Sequence, residues 1–260
     1  MEADRAGGGR RRSASLRLAV AMVALCASGA GCGLPDSFYL SPPSASQAQP
    51  LDGLFTIQHT DRSSEPDFRG YELYYKLYSS APPAADTNLG STTGTVDLLT
   101  SNGFLTLCKG PVVTAPSGAS SQAVSADVSV ATRVAPLILI DPNDRNASFT
   151  VTINVNPAGG TDAGTSYSYA APSGSYQQEI DRHVTGSIAT VGVQRCMPFT
   201  YGQGYYQQTD PDISAIWPVT GGTLYIAVYA VSYGLQNLST PIYSYPVYMG
   251  YLTISGNFSS

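Results

Sequence analysis

Few side chains in this sequence are suited to chemistry, and their spacing limits what each could do. Imidazole is the usual base near neutral pH, and the chain has two, His59 and His183. His183 follows Glu179 and Asp181. If Tyr176 to His183 forms a short helical turn, Glu179 and His183 stand four apart on one face. That arrangement reads as a surface ion pair; the alternative is the acid–base centre of a secreted hydrolase with an unconventional site. A deep pocket lined by these side chains would favour the enzyme, and a solvated helix face would sink it. Asp210 and Asp212 bracket Pro211. Two carboxylates so close suggest hydrolysis, but an Asp210 cap with Pro211 in the first helical position is simpler. The run Asp141, Pro142, Asn143, Asp144, Arg145, Asn146 is acid-rich like a calcium loop. It lacks the required Gly and the closing Glu, and Arg145 takes a ligand position, so it reads as a turn. The serine nucleophile elbow, the His-Glu-x-x-His zinc helix and the phosphate-cradling Gly loop are all missing from the sequence. The expectation is a protein that is not an enzyme, with no catalytic residue, metal or cofactor.

The cysteines point to a compartment. Arg5, Arg10, Arg11, Arg12 and Arg17 make a positive opening segment, and Leu18 to Cys26 is an apolar core too short to span a bilayer. Ser28, Gly29, Ala30 and Gly31 then lead into Cys32. Small residues before a cysteine are the pattern cut by the bacterial lipoprotein peptidase, so residues 1–31 read as a lipoprotein signal peptide and Cys32 as the acylated first residue. The other reading is ordinary secretion with cleavage nearby. Two or three acyl chains hold a protein firmly to a bilayer, and residues 32–50, rich in Ser, Pro, Ala and Gln, read as a flexible tether. Cys108 and Cys196 remain. In an oxidising exported compartment they read as one disulfide, with an unpartnered buried strand cysteine as the alternative.

Composition agrees with export and excludes one class of partner. Of 13 basic and 18 acidic residues, the first 31 hold five and two, which leaves 8 − 16, a net charge of −8 on the exported part. Basic residues past Arg17 are scattered, so nucleic acid is not expected as a partner. The 26 Gly and 18 Pro favour a domain with many turns.

Alternation with period two positions all of these residues. Phe149, Val151, Ile153 and Val155 point one way while Ser148, Thr150, Thr152 and Asn154 point the other. Val124 to Val130 repeats the pattern, as does Tyr71, Leu73, Tyr75 and Leu77 against Glu72, Tyr74, Lys76 and Tyr78. Leu224 to Tyr233 and Val247 to Ile254 are more continuously apolar, as strands covered on both faces are. Close-spaced strands separated by Gly, Pro and Asn turns point to an all-β fold, an antiparallel β-sandwich.

The run Gly70-Tyr71-Glu72-Leu73-Tyr74-Tyr75-Lys76-Leu77-Tyr78 resembles the third strand of a fibronectin type III domain. Leu224, Ile226, Val228, Ala230, Val231 and Gly234 are similar to that family's sixth strand, with Pro241 to Ile254 as the last strand and Leu51 to Thr60 as an early one. The corner tyrosine of the family falls on Leu224, and the early strand lacks the usual Trp. The resemblance covers about a third of the chain. It implies a fibronectin type III-like β-sandwich over residues 51–260, carrying a long β-rich insertion at about 79–223. The layout of signal peptide, tether and Gly-Tyr-Glu-x-Tyr-Tyr-Lys strand also resembles a group of spirochaete envelope lipoproteins. That likeness implies envelope location and membrane attachment through the N-terminal lipid.

For such a protein the expected role is a non-catalytic binding or structural module with a protein or glycan partner. Tyrosines suit recognition surfaces. Most of those here read as half-buried residues lining sandwich edges. Tyr201, Tyr205 and Tyr206 differ, because Gly202 and Gly204 surround them with no alternating partners, so the loop from Phe199 to Gln208 is the expected contact site.

Overall fold

The computed structural model describes residues 40–45, 54–90, 95–109, 135–155, 166–188, 193–197, 199, 208–219 and 222–255, with residues 183–188, 193–197 and 255 through their backbone. The chain divides into residues 1–38, none of them described, and one compact unit of residues 39–260. The Cys32 site, the strand expected over Val124 to Val130, and Tyr201, Tyr205 and Tyr206 lie outside the described residues.

Two antiparallel sheets pack face to face, so the all-β sandwich is the observed architecture. The strands are β1 (Ser44–Ala45), β2 (Leu54–His59), β3 (Phe68–Tyr78), β4 (Leu105–Thr106), β5 (Cys108–Lys109), β6 (Ile138–Leu139), β7 (Phe149–Asn154), β8 (Ser166–Ala171), β9 (Gly174–Ile188), β10 (Val193–Met197), β11 (Thr223–Gln236), β12 (Thr240–Tyr243) and β13 (Val247–Ser255). The first sheet runs β1-β2-β7-β8-β9-β10, with β5 also on β9. The second runs β12-β11-β3-β4, with β13 on β11 and β6 on β3. The stretch from 79 to 223 is thus woven into the sandwich: it supplies β7 to β10, most of the first sheet.

Odd-numbered residues of β3 and even-numbered residues of β11 fill the space between the sheets. Tyr71, Leu73, Tyr75 and Leu77 meet Leu224, Ile226, Val228 and Ala230 there, facing Phe55, Ile57, Val151, Ile153 and Ile180 of the first sheet. The other face of the second sheet is covered too. Tyr74, Tyr78, Ala227, Tyr229 and Val231 pack against Leu99 and Phe104, brought there by helices α1 (Ala84–Thr87) and α2 (Val96–Ser101). Thr95 caps α2 by accepting from the Leu98 amide. Continuous apolarity in β11 therefore reports burial on both faces, as expected. Tyr71, Tyr74, Tyr75, Tyr229 and Tyr233 are core residues rather than edge residues: Tyr71 and Tyr75 lie between the sheets, and Tyr74 and Tyr229 lie under the helical cover, a third layer that alternation in β3 does not announce.

Gly70 is dictated by close approach: a Cβ there would lie 1.9 Å from the Ile138 carbonyl oxygen, and φ is +149°. Two expected elements differ. Tyr176 to His183 is not a helical turn but the middle of β9, since pairing with β8 on Gly174 to Glu179 and with β5 and β10 beyond it outweighs local spacing. The final strand expected from Pro241 to Ile254 is two strands, β12 and β13, broken at Ser244 to Pro246. There the Ser244 amide still donates to the Ser232 carbonyl at 3.0 Å, but the Ser232 amide donates to Ser244 Oγ at 2.8 Å, so a side chain takes one of the two ladder bonds.

Candidate functional site

Strand β9 sends alternate residues to opposite faces. Tyr176 and Ile180 belong to the core between the sheets, and Arg182, in step with them, has no exposed surface. Its guanidinium is held by two carboxylates: Nη2 donates to Asp210 Oδ2 at 2.6 Å and Nη1 to Asp212 Oδ1 at 2.7 Å. Tyr75 of the opposite sheet donates from its hydroxyl to Asp212 Oδ2 at 2.9 Å, and Phe199 sets its ring edge-on against Tyr75 at 5.2 Å. One network thus ties β9 to β3 across the core.

The turn after Asp210 is the sequence element that allows this. The Asp210 carbonyl accepts from the Ile213 and Ser214 amides at 3.2 and 2.9 Å, and a short 3-10 helix, Ser214–Ile216, follows. The turn expected at Asp-Pro-Asp is present. Its side chains, however, are not a solvated cap: both aspartates turn inward onto Arg182. Burial pushes the Asp212 carboxyl above its ordinary range, while the guanidinium and the Tyr75 hydroxyl oppose that shift. All three charged side chains are almost wholly shielded from solvent, so the network is part of the packed interior.

Glu179 and Asp181 share the opposite face of β9, with His183 two positions further along the strand. In a strand, residues four apart stand about 13 Å from each other, so the expected helical pair of Glu179 and His183 does not form. Glu179 is half-buried. Asp181 is buried, its Oδ1 has no hydrogen-bond partner, and burial with the nearby Glu179 charge lifts its carboxyl to about 7. Asp181 stands opposite Cys108 in the ladder, and His183 opposite Cys196. Cys108 is disulfide-bonded; the Cys196 side chain lies outside the described residues.

A second buried polar centre lies between β2 and β3. His59 Nδ1 and the Tyr71 hydroxyl are 2.8 Å apart, and Nε2 is 3.2 Å from the Arg145 carbonyl. The ring is stacked between Phe149 at 4.6 Å and Phe68 at 5.6 Å, and the stack continues through Tyr169 to Tyr176. Burial holds the imidazole below its ordinary pKa, and burial lifts the Tyr71 hydroxyl to about 12, so both groups are neutral at physiological pH. The Asp141 segment is a turn as expected, a 3-10 helix at Pro142–Asp144 capped by Asp141. Among the described residues no group of three or more His, Cys, Asp or Glu is placed to hold a metal.

Sequence reasoning missed Arg182. Its signal was the register Tyr176, Gln178, Ile180, Arg182 once β9 is read as a strand, together with two acids at 210 and 212 that have no basic neighbour in sequence. No family model, curated protein or solved structure matches the chain.

Proposed function

We propose that this protein is exported and lipid-anchored in a bacterial cell envelope, held by acyl chains on Cys32, where it acts as a non-catalytic binding or structural module. The observation that carries this reading is the ordered succession of a positive segment ending at Arg17, an apolar run from Leu18 to Cys26, and small residues before Cys32. A disulfide at Cys108 supports an oxidising compartment. Its pairing with Cys196 is part of the reading. The two cysteines face ladder positions only two apart on β9, which suits the limit of about 7 Å between bridged Cα atoms. The fibronectin type III likeness is supported by neighbour order: β3 pairs with β11, and β11 with β12 and β13, the order expected of third, sixth and last strands. The contact site for a protein or glycan partner is the loop carrying Tyr201, Tyr205 and Tyr206. Metabolic labelling with a fatty acid tests the anchor. Label should enter the natural protein and Cys26→Ser and be lost from Cys32→Ser; label retained by Cys32→Ser overturns it.

One observation favours a hydrolase instead, namely the buried Asp181 carboxyl held near neutrality beside Glu179. That reading requires turnover of chromogenic esters or glycosides that disappears in Asp181→Asn, and a folded protein inert on both classes removes it.

A further inference from the structure

An asparagine followed two residues later by serine or threonine, with no proline between, is the acceptor pattern for attaching a glycan to the asparagine amide. It occurs three times, as Asn146-Ala147-Ser148, Asn237-Leu238-Ser239 and Asn257-Phe258-Ser259. The third lies outside the described residues. In a chain rich in serine so short a pattern also arises by chance, so each triplet has to be weighed against what the fold already asks of its residues. Asn237 has such a duty. Its φ is +51°, in the left-handed region that asparagine tolerates better than other side chains, and the Ser239 amide closes the same turn on the Gln236 carbonyl at 3.2 Å. Turn geometry therefore accounts for that triplet.

Asn146 has none. It stands between the 3-10 helix at Pro142–Asp144 and β7, outside the left-handed region, and its side chain makes no hydrogen bond to any described residue. The residues beside it are pinned instead. The Arg145 carbonyl accepts from the Arg62 amide at 3.0 Å, the Ala147 amide donates to the Asp144 carbonyl at 2.9 Å, and the Asp144 carboxylate accepts from the Ser173 amide at 3.0 Å. Arg145 Nη1 also donates to the Pro66 carbonyl at 3.1 Å. On this fixed frame Asn146 and Ser148 are both exposed, as are Pro142, Asn143 and Thr150 around them, and the Ser148 hydroxyl, like the Asn146 amide, has no partner among the described residues. Any polar residue would serve a solvated turn. An unbonded amide with an unbonded hydroxyl two residues on, both open to a large enzyme, is the more particular arrangement that an acceptor requires, and a glycan on Asn146 displaces no packed side chain.

We propose that Asn146 carries an N-linked glycan, transferred from an oligosaccharide held on a lipid diphosphate by a transferase that recognises Asn146 and Ser148 together. Nδ2 of Asn146 forms a bond to C1 of the first sugar while the bond from C1 to the phosphate oxygen breaks. The lipid diphosphate leaves with that electron pair, and one amide proton passes to a base of the transferase. The proposal rests on the export reading, since this modification belongs to exported surface loops, and it adds a covalent group to that reading. The glycan covers the end of the sandwich where the Arg62 to Asp67 loop and the β8–β9 turn are tied to the Asp141 segment, so partner contacts fall elsewhere on the domain.

The full chain is purified from the cells that make it, and its intact mass and the masses of its peptides are read by tandem mass spectrometry. The peptide holding Asn146 should carry the added mass of an oligosaccharide. That mass should be lost in Asn146→Gln and in Ser148→Ala and kept in Ser148→Thr, which restores the hydroxyl. All three substitutions lie at exposed positions and should leave the melting temperature unchanged, so loss of the glycan is not loss of the fold. A bare Asn146 on a chain that has lost residues 1–31 overturns the proposal and leaves export standing. A bare Asn146 on a chain that keeps those residues overturns both. A glycan that persists in Asn146→Gln and disappears in Ser148→Ala is attached to the serine hydroxyl and overturns the assignment to the amide.

Discussion

Two tyrosines four residues apart on β3 reach into the same core and meet opposite solutions to burying polar atoms. Tyr71 faces His59, a neutral imidazole lowered in pKa and stacked between Phe68 and Phe149. Tyr75 faces Asp212, part of a charged network with Arg182 and Asp210. In the first centre the bonded pair itself is neutral, with the buried Arg62 guanidinium beside it over the Phe68 ring and paired to Glu65, so the pair incurs little desolvation cost. In the second, ions are taken out of water and the cost is offset only by short, mutually satisfied contacts. The neutral centre should therefore fail gently and the charged one abruptly.

The largest expected effect comes from Arg182→Met. It leaves two carboxylates buried without a cation and should lower unfolding free energy by about 3–5 kcal/mol, read from denaturant midpoints. Adding Asp210→Asn and Asp212→Asn should restore most of the loss. If the triple variant is no better than the single, the network's cost is packing and not charge.

The next effect separates the two faces of β9 by pH. Asp181 titrates near 7 in the folded protein, above its ordinary 3.8, so the folded state keeps a proton that the unfolded chain has released. The stability this contributes is complete below about pH 3.8 and is lost as pH rises to about 7. At 1.36 kcal/mol per unit the loss is of order 4 kcal/mol, and Asp181→Asn should flatten that part of the stability–pH profile. His59 has the opposite sign. Its pKa lies below 6.5, so its contribution is complete above 6.5 and is lost as pH falls through the lowered value. Imidazole resonances that titrate above 6.5 would contradict this.

The smallest effect compares the tyrosines directly. Tyr75→Phe removes a donor to a charged carboxylate and should cost about 1.5–3 kcal/mol, whereas Tyr71→Phe removes a neutral bond worth about 0.5–1.5 kcal/mol. Equal costs in chemical denaturation would erase the distinction between the centres.

Much of the fold was legible because period-two alternation records which side of a strand is dry. Phe149 to Val155 and Leu224 to Tyr233 were read correctly for that reason. Tyr176 to His183 suggests a helical turn because the four-residue spacing of Glu179 and His183 fits a helix face, and only pairing with β5, β8 and β10 identifies β9. Pro241 to Ile254 was read as one strand because the break at Ser244 depends on a bond to Ser232, distant in sequence.

Local periodicity, charge order along the N-terminal segment and turn residues are properties of neighbours in sequence, and they alone determined strands such as β7 and β11, the expectation of export and the turn at Asp210. Tertiary structure decided which polar groups meet. Arg182 finds Asp210 and Asp212 across 28 and 30 residues, and Tyr75 reaches Asp212 across 137. Contacts over such separations depend on sheet order and register, which no local pattern encodes, and burial then turns a weak surface interaction into one the fold depends on.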